Sequence, residues 1–410
     1  MSKTIWYISK YVAPPHGDNV AGGRTWELMR ELAALGHESV IITSDANHLA
    51  VVPELTRPVL REERDGIDVY WLRTFKAATA KSWQRIVSWL HFEWRLFRLD
   101  TSKLPAPDVL IISSLSLLTV VNGLLLKRRR RVRMVFEVRD IWPLTLVEEG
   151  GFKPGNPFVR ALGWIERLGY RRADVIVGTM PGLVNHVREV LGEEREVHCI
   201  PMGYASRVVS AEQPDPVRSA DAPDHELVVG YAGTVGITNA LEIFLDAASL
   251  LRDEPGIRFR VIGDGPLLAQ FKDVYADLDA VEFVAKVPKD QVQGELQKCD
   301  VLYLSTYPSR VWEFGQSLNK VIDYMLSGRP VLASLSGYPS MINEAGSGSF
   351  VPAGDSKAVA DELRRYAEMR AEERDTMGRR GRTWLLEHRS YERLAADYFD
   401  ILFPREQKST

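Results

Sequence analysis

The sequence predicts two α/β domains in tandem, each a doubly wound parallel sheet of Rossmann type. Three observations carry this. The chain has 410 residues, beyond the roughly 250–300 at which a single hydrophobic core stops growing. Short β-rich runs alternate with helical patterns along most of it. The alternation breaks once, over 208–226, where Pro214, Pro216 and Pro223 stand among Asp, Ser and Ala without periodicity, and then restarts. The expected domains are 1–207 and 208–387, with a cleft between two facing sheets and ligands beyond the carboxyl ends of strands.

In the first half, 4–9 reads as a strand, 14–23 as a loop, 24–35 as an amphipathic helix and 39–43 as the next strand. Strands follow at 69–72, 109–113, 133–138 and 175–178. In the second half, strands are expected at 228–232, 258–262, 281–284, 301–305 and 331–333, with helices over 240–252 and 267–275. The tail, 358–403, reads as almost continuous helix broken near Gly378 and Gly381.

Composition excludes several classes. Apolar residues make up 45% and charged residues 26%, the balance of a globular protein. A formal net charge of −3 argues against coating nucleic acid. The two cysteines, Cys199 and Cys299, make no disulfide framework and fit no zinc spacing, which suits a reducing compartment. The amino terminus lacks the apolar core of a signal peptide, and no stretch approaches 18 apolar residues. A cytoplasmic location is expected.

Five segments carry chemistry. In the loop 16–24, Gly22 and Gly23 precede a helix, so their amides can approach a phosphate; the bland reading is a loop needing glycine. In 137–143, Arg139 and Asp140 stand where a sheet opens, as ligands or as a surface ion pair. In 231–241, Gly233 follows a strand and Asn239 precedes a helix, as an amide nest or a helix cap. In 261–266, Gly263-Asp264-Gly265-Pro266 is a tight turn with Asp264 as a cap and Pro266 at the first helical position. In 312–332, Asn319, Lys320 and Asp323 lie within one helical turn, where a lysine can neutralise phosphate and a carboxylate can accept from a ribose diol; the alternative is a Lys320–Asp323 salt bridge. Gly-x-Gly-x-x-Gly and Walker A patterns are absent, which argues against a nicotinamide dehydrogenase.

Taken together, these segments resemble retaining glycosyltransferases of family 4, with the GT-B fold. The order is an N-terminal glycine loop, Gly-His-Glu at 36–38, Gly233, Gly-Asp-Gly-Pro at 263–266, and Ser-Gly-Arg-Pro-Val-Leu at 327–332. Arg139-Asp140-Ile141-Trp142-Pro143, Tyr231-Ala232-Gly233-Thr234 and Asn319-Lys320-Val321-Ile322-Asp323-Tyr324-Met325 resemble the N-acetylfucosamine-type amino-sugar transferases of O-antigen and capsule synthesis.

The resemblance implies a C-terminal helix, about 388–410, packing back on the first domain. It implies a nucleotide-sugar donor, preferably UDP-linked, held by Gly233, Thr234, Asn239, Gly263, Asp264, Gly265, Val287, Asn319, Lys320 and Asp323. It places a lipid-linked or saccharide acceptor in the first domain, with His16, Gly22 and Gly23 as an acceptor or phosphate loop. Arg139, Asp140 and Lys320 are the catalytic candidates, with Asp140 orienting or deprotonating the acceptor hydroxyl. No covalent nucleophile, cofactor or metal is expected, and Asp277-Leu278-Asp279 reads as a solvated turn.

The chain departs from the wider family twice. Glu-x7-Glu is replaced by Gly315 and Asp323, with Glu313 two positions early. The diphosphate-binding Arg/Lys pair is missing; neutral Thr234 and Asn239 stand near those positions, leaving Lys320 to supply the charge. Two other readings stay open: a nucleotide-sugar 2-epimerase, and a non-catalytic sugar-nucleotide-binding partner.

The stretch 81–99 interleaves Trp83, Trp89, Phe92, Trp94 and Phe97 with Arg85, Arg95 and Arg98, and 127–131 is a basic run. Both suit the inner membrane surface. The bland reading is a helix packed on its own domain.

Overall fold

The computed structural model describes residues 2–16, 21–47, 50–76, 84–209, 226–338 and 341–404. The chain forms two units, Met1–Val208 with Tyr391–Thr410, and Val209–Ser390. The linker reading over 208–226 falls mainly on 210–225, outside the described residues.

The first unit has strands β1 Thr4–Ile8, β2 Glu38–Ser44, β3 Val59–Arg64, β4 Ile67–Leu72, β5 Val109–Ser113, β6 Arg133–Val138, β7 Val175–Gly178 and β8 Val197–Cys199. Its helices are α1 Arg24–Ala34, α2 Gln84–Phe97, α3 Thr119–Arg130, α4 Leu144–Glu148, α5 Pro157–Arg172 and α6 Leu183–Leu191. The sheet runs β3-β4-β2-β1-β5-β6-β7-β8, parallel apart from β3 on β4. The order reverses at β1. Right-handed crossovers therefore put α1 on one face and the α2, α3, α5, α6 layer on the other.

The second unit has β9 Leu227–Ala232, β10 Ile257–Ile262, β11 Val281–Val284, β12 Val301–Ser305, β13 Val331–Ser334 and β14 Gly348–Val351. Its helices are α7 Glu242–Leu250, α8 Leu268–Val274, α9 Val292–Gln297, α10 Asn319–Leu326, α11 Met341–Glu344, α12 Ser356–Glu368 and α13 Ala371–His388. The sheet runs β11-β10-β9-β12-β13-β14, and every pairing is parallel. Strands buried on both faces read as apolar runs. That is why the expected strands match to within one or two residues.

Three of the four edge strands, β3, β8 and β14, went unread, while the fourth, β11, stands where it was expected. β3 is mostly charged, Val-Leu-Arg-Glu-Glu-Arg, and charge on an edge blocks further pairing. The tail is a second correction. Its helices part at Met369-Arg370 and at Arg389-Ser390, while Gly378 and Gly381 lie inside α13. A Cβ on Gly378 would stand 1.9 Å from the Gly328 carbonyl oxygen. The glycine marks a close approach between α13 and the end of α10, rather than a helix break.

The last helix, α14 Tyr391–Leu402, packs on α1. Beneath it lies a fully buried ion pair, Arg24 Nη1 to Glu137 Oε1 at 2.9 Å. The guanidinium also donates to the Pro201 carbonyl at 3.1 Å and the Ile200 carbonyl at 2.6 Å. Tyr7 donates to the other Glu137 oxygen. Against the upward push of burial, Arg24 and Arg139 hold the Glu137 carboxyl below its usual range. The carboxyl end of β6, the start of α1 and the turn after β8 are thus locked together by charge in a dry interior.

Removing one partner of such a pair strands the other. Arg24→Met should lower stability by ~3–5 kcal/mol in urea unfolding, and adding Glu137→Leu should recover part of the loss.

Candidate functional site

In the second unit, β9, β10 and β11 end on one side of the sheet around a cavity of about 600 Å³. Two turns shape it. The turn after β9 and the turn after β10 are stapled by Gly233 N–H to the Ile262 carbonyl at 3.0 Å and Val235 N–H to the Asp264 carbonyl at 2.9 Å. The contact is so close that a Cβ on Gly263 would lie 2.0 Å from the Gly233 oxygen, and one on Gly265 2.2 Å from the Val235 oxygen. Both glycines also have positive φ, 151° and 159°. No other residue fits there.

The third wall is the start of α10. Its cap, Leu318, contributes no side-chain hydrogen bond, so the first amides and the positive end of the helix dipole face the cavity. Lys320 stands in that first turn. Its Nζ donates to Asn239 Oδ1 at 2.8 Å and to the Tyr231 hydroxyl at 3.2 Å. It also lies 4.6 Å from the Tyr231 ring centroid. Asn239 and Tyr231 in turn both donate to the Thr234 carbonyl, at 3.0 and 2.7 Å. Among the described residues no carboxylate pairs with Lys320. Burial pushes its ammonium down to about 8.

Asp323, one turn on, does not pair with Lys320. Lys289 clasps both its oxygens at 2.6 Å. Lys289 is exposed, so this contact exchanges cheaply. Tyr324 pins α10 to the end of β9, accepting from Ala232 N–H at 2.9 Å and donating to the Ala232 carbonyl at 3.1 Å. The lining carries three lysines, Lys286, Lys289 and Lys320, against two aspartates, Asp264 and Asp323. Such a cavity offers amide donors, a buried cation and a carboxylate: the complement of an anion attached to a diol.

The structure gathers Gly233, Thr234, Gly263, Asp264, Gly265, Val287, Asn319, Lys320 and Asp323 around this one cavity. Asn239 stands behind Lys320 as its acceptor and is not a helix cap. Asp264 accepts from the Gly265 amide at 2.7 Å and caps no helix, and Pro266 lies in the turn before α8. Glu313 is exposed in a 3₁₀ turn and does not line the cavity. Asp277 pairs with Arg252 at 2.7 Å, as a solvated turn does. The sequence reading missed Tyr231, Tyr324, Lys286 and Lys289. Position alone pointed to the two lysines, which follow the carboxyl end of β11.

In the first unit, Arg139 and Asp140 follow β6. Their side chains part instead of pairing. Arg139 donates to Thr25 Oγ1 at 3.1 Å. Asp140 accepts from Trp142 Nε1 and Thr145 Oγ1, each at 2.8 Å. Ser114 Oγ holds both backbone amides, at 3.0 and 3.2 Å. The carboxylate is therefore fixed in aim, with lone pairs remaining for one more donor.

The glycine loop differs from expectation. Gly22 N–H donates to Glu27 Oε1 at 2.6 Å and Gly23 N–H to the Ala13 carbonyl at 2.8 Å. The carboxylate of Glu27, in the first turn of α1, occupies the place expected for a phosphate. It is held there by Arg207 at 2.7 Å. His16 is exposed, and 17–20 lie outside the described residues.

Residues 21–203 match the model of the glycosyl transferase 4-like domain, and 226–369 that of the glycosyl transferases group 1. The amylovoran biosynthesis glycosyltransferase of Erwinia amylovora is 28% identical over 137 residues, 32% of this chain. The chain spans only about a third of that relative's length, 34%. Among solved structures, sucrose-phosphate synthase from Thermosynechococcus elongatus superposes with a TM-score of 0.72 at 17% identity, covering 97% of this chain and 98% of that one. Anabaena HepE in complex with UDP and glucose gives 0.66 at 15% identity, covering 98% and 100%.

A polyanion reaching Lys320 restores the charge that burial disfavours, so the ammonium's pKa rises on binding. Proton uptake should therefore accompany nucleoside diphosphate binding near pH 8 and vanish near pH 6, where Lys320 is already protonated. Affinity should fall as pH rises above 8. Calorimetry in buffers of different ionisation enthalpy reads the uptake directly.

Proposed function

We propose that this chain, a GT-B protein built of two glycosyltransferase domains, moves a sugar from a nucleoside diphosphate donor to a saccharide or lipid-linked acceptor in cell-surface polysaccharide synthesis. The observation that carries this is Lys320: a largely buried ammonium with neutral partners, at the mouth of a helix, beside two amide-lined turns. The donor diphosphate would lie between Lys320 and the Gly233 and Gly263–Gly265 turns. Asp323 would exchange Lys289 for the ribose diol. UDP is the preferred nucleotide, in keeping with the ligand of the Anabaena relative.

Charge that develops on the departing diphosphate is met by Lys320, the α10 amides and the helix dipole, all fixed beforehand. We read the leaving group as needing no metal ion. Asp140, aimed by Trp142 and Thr145, would orient the acceptor hydroxyl in the first unit. Arg139 would add positive charge beside it. Retention of the anomeric configuration and an N-acetylated amino sugar are carried by the family resemblance. The epimerase and non-catalytic readings are not favoured, since both domains match glycosyltransferase models. Among the described residues no helix is long and apolar enough to cross a membrane.

Thermal unfolding with UDP, GDP, ADP, dTDP and NAD tests the site. UDP at about 100 times its dissociation constant should raise the unfolding temperature by a few degrees, for about 2.7 kcal/mol of linkage. Lys320→Ala and Asp323→Ala should each abolish the shift without unfolding the chain. Arg139→Ala and Asp140→Asn should keep the shift and lose turnover. A shift with GDP or ADP alone would change the nucleotide, and none with any of them would overturn the reading.

A further inference from the structure

The outer surface of α2 and α3 exposes large apolar side chains where a helix layer facing water is normally charged, and α5 beside them exposes arginines around Trp164. Among the described residues of the first unit, fourteen large apolar residues are exposed, and eight of them lie on these three helices. Helix α2 is apolar on two sides. Trp89, Phe92 and Leu96 are buried against the unit, while Ile86, Leu90, Trp94 and Phe97, at one-turn spacing, are exposed. The packed-helix reading of the 81–99 stretch thus holds for the buried face, and the opposite face is apolar as well; Lys81 and Trp83 lie outside the described residues. Val121 and Leu125 continue the apolar strip on α3, and Trp164, 64% exposed, stands on α5.

This surface is held as one piece. Glu93 of α2 reaches α3, accepting from Thr119 Oγ1 at 2.6 Å and Asn122 Nδ2 at 2.7 Å. At the far end the Arg129 guanidinium lies 5.4 Å from the Phe97 ring centroid. Arg130 donates to Thr101 Oγ1, just beyond α2, at 2.8 Å.

The strip ends at a cavity of about 700 Å³ between the C-terminal ends of α3 and α5. Its walls are Leu124, Val132 and Leu168. Five cations line it against one carboxylate, Asp174. Lys127 already neutralises Asp174 at 2.7 Å, and Arg133 donates to the Leu402 carbonyl at 2.9 Å. Arg128, Arg131 and Arg172 are exposed and form no ion pair among the described residues. Three guanidiniums around an apolar-walled hollow repel one another unless an anion joins them. The guanidinium fork matches phosphate oxygens. The cavity lies at the amino-terminal end of β6, away from the end that carries Arg139 and Asp140.

We propose that this surface docks on an anionic phospholipid bilayer, with the apolar strip in the interface and a headgroup phosphate in the arginine cavity. The proposal deepens the membrane part of the function above and rests on it. Lipid is favoured because charge and apolar surface are contiguous; the cations alone would serve any soluble anion, but the strip would then be left in water.

The test is flotation of the full chain with phosphatidylcholine vesicles, plain or doped with phosphatidylglycerol. Wild type should bind the doped vesicles at least ~tenfold more tightly. The surface variant Arg128→Glu/Arg172→Glu should lose that preference and keep its weak binding to plain vesicles. Leu90→Ser/Trp94→Ser should lose binding to both. An unchanged UDP-induced thermal shift in each variant shows that the chain is folded. Retention of full preference by the arginine variant overturns the headgroup site and leaves membrane docking standing. Failure of wild type to bind either vesicle, with the UDP shift intact, overturns docking and leaves sugar transfer untouched.

Discussion

An ammonium taken out of water without a carboxylate beside it is costly, and Lys320 is kept in that condition. Its acceptors are an amide oxygen and a phenol, both neutral, and burial pushes its pKa down to about 8. The shape of the second unit near the cavity follows from holding this charge in place. Tyr231 and Asn239 must both turn toward the Thr234 carbonyl to present their oxygens to it. Tyr324 must tie α10 to β9 so that the lysine cannot drift away. The glycine turns must interlock so that amides, not side chains, fill the opposite wall.

This arrangement explains how a chain can lack the paired cations that its resemblance led one to expect. Thr234 and Asn239 carry no charge, yet each supports the lysine that does: Asn239 through its side chain, Thr234 through its carbonyl. The buried positive charge of this cavity stands on a helix, at Lys320, and not on these loops. Shortening of the second carboxylate to Asp323 fits the same geometry, since Lys289 lies within reach to hold it ready. In the first unit the logic is reversed. Arg24 and Glu137 neutralise each other in the dry interior, and Glu27 meets the Gly22 amide, so charge there serves the fold. Arg139 and Asp140 are the pair kept apart.

Both sheets were legible because central parallel strands must be apolar on both faces, and runs such as 109–113 and 301–305 can be little else. The candidate cavity was legible because glycines recur just past strand ends and a lysine stands in the first turn of a helix. What could not be read depends on contacts distant in sequence. Gly378 reads as a helix break until Gly328 is found against it. Gly22 and Gly23 read as a phosphate nest until Glu27 is found on the first amide and the Ala13 carbonyl on the second. Tyr231 reads as a strand residue, and only its distance to Lys320 gives it a role. The charged edge strand β3 shows no apolar run at all, because an edge is safest when polar.

The most direct test compares the affinities of uridine and UDP for wild type and for Lys320→Met, by calorimetry at pH 7. A buried cation that waits for a diphosphate predicts a wide gap between the two ligands in wild type. In the variant that gap should shrink by about 10- to 100-fold, the worth of hydrogen bonds to a charged group, with uridine binding unchanged. An undiminished gap would contradict the assignment of Lys320, and with it the placement of the donor.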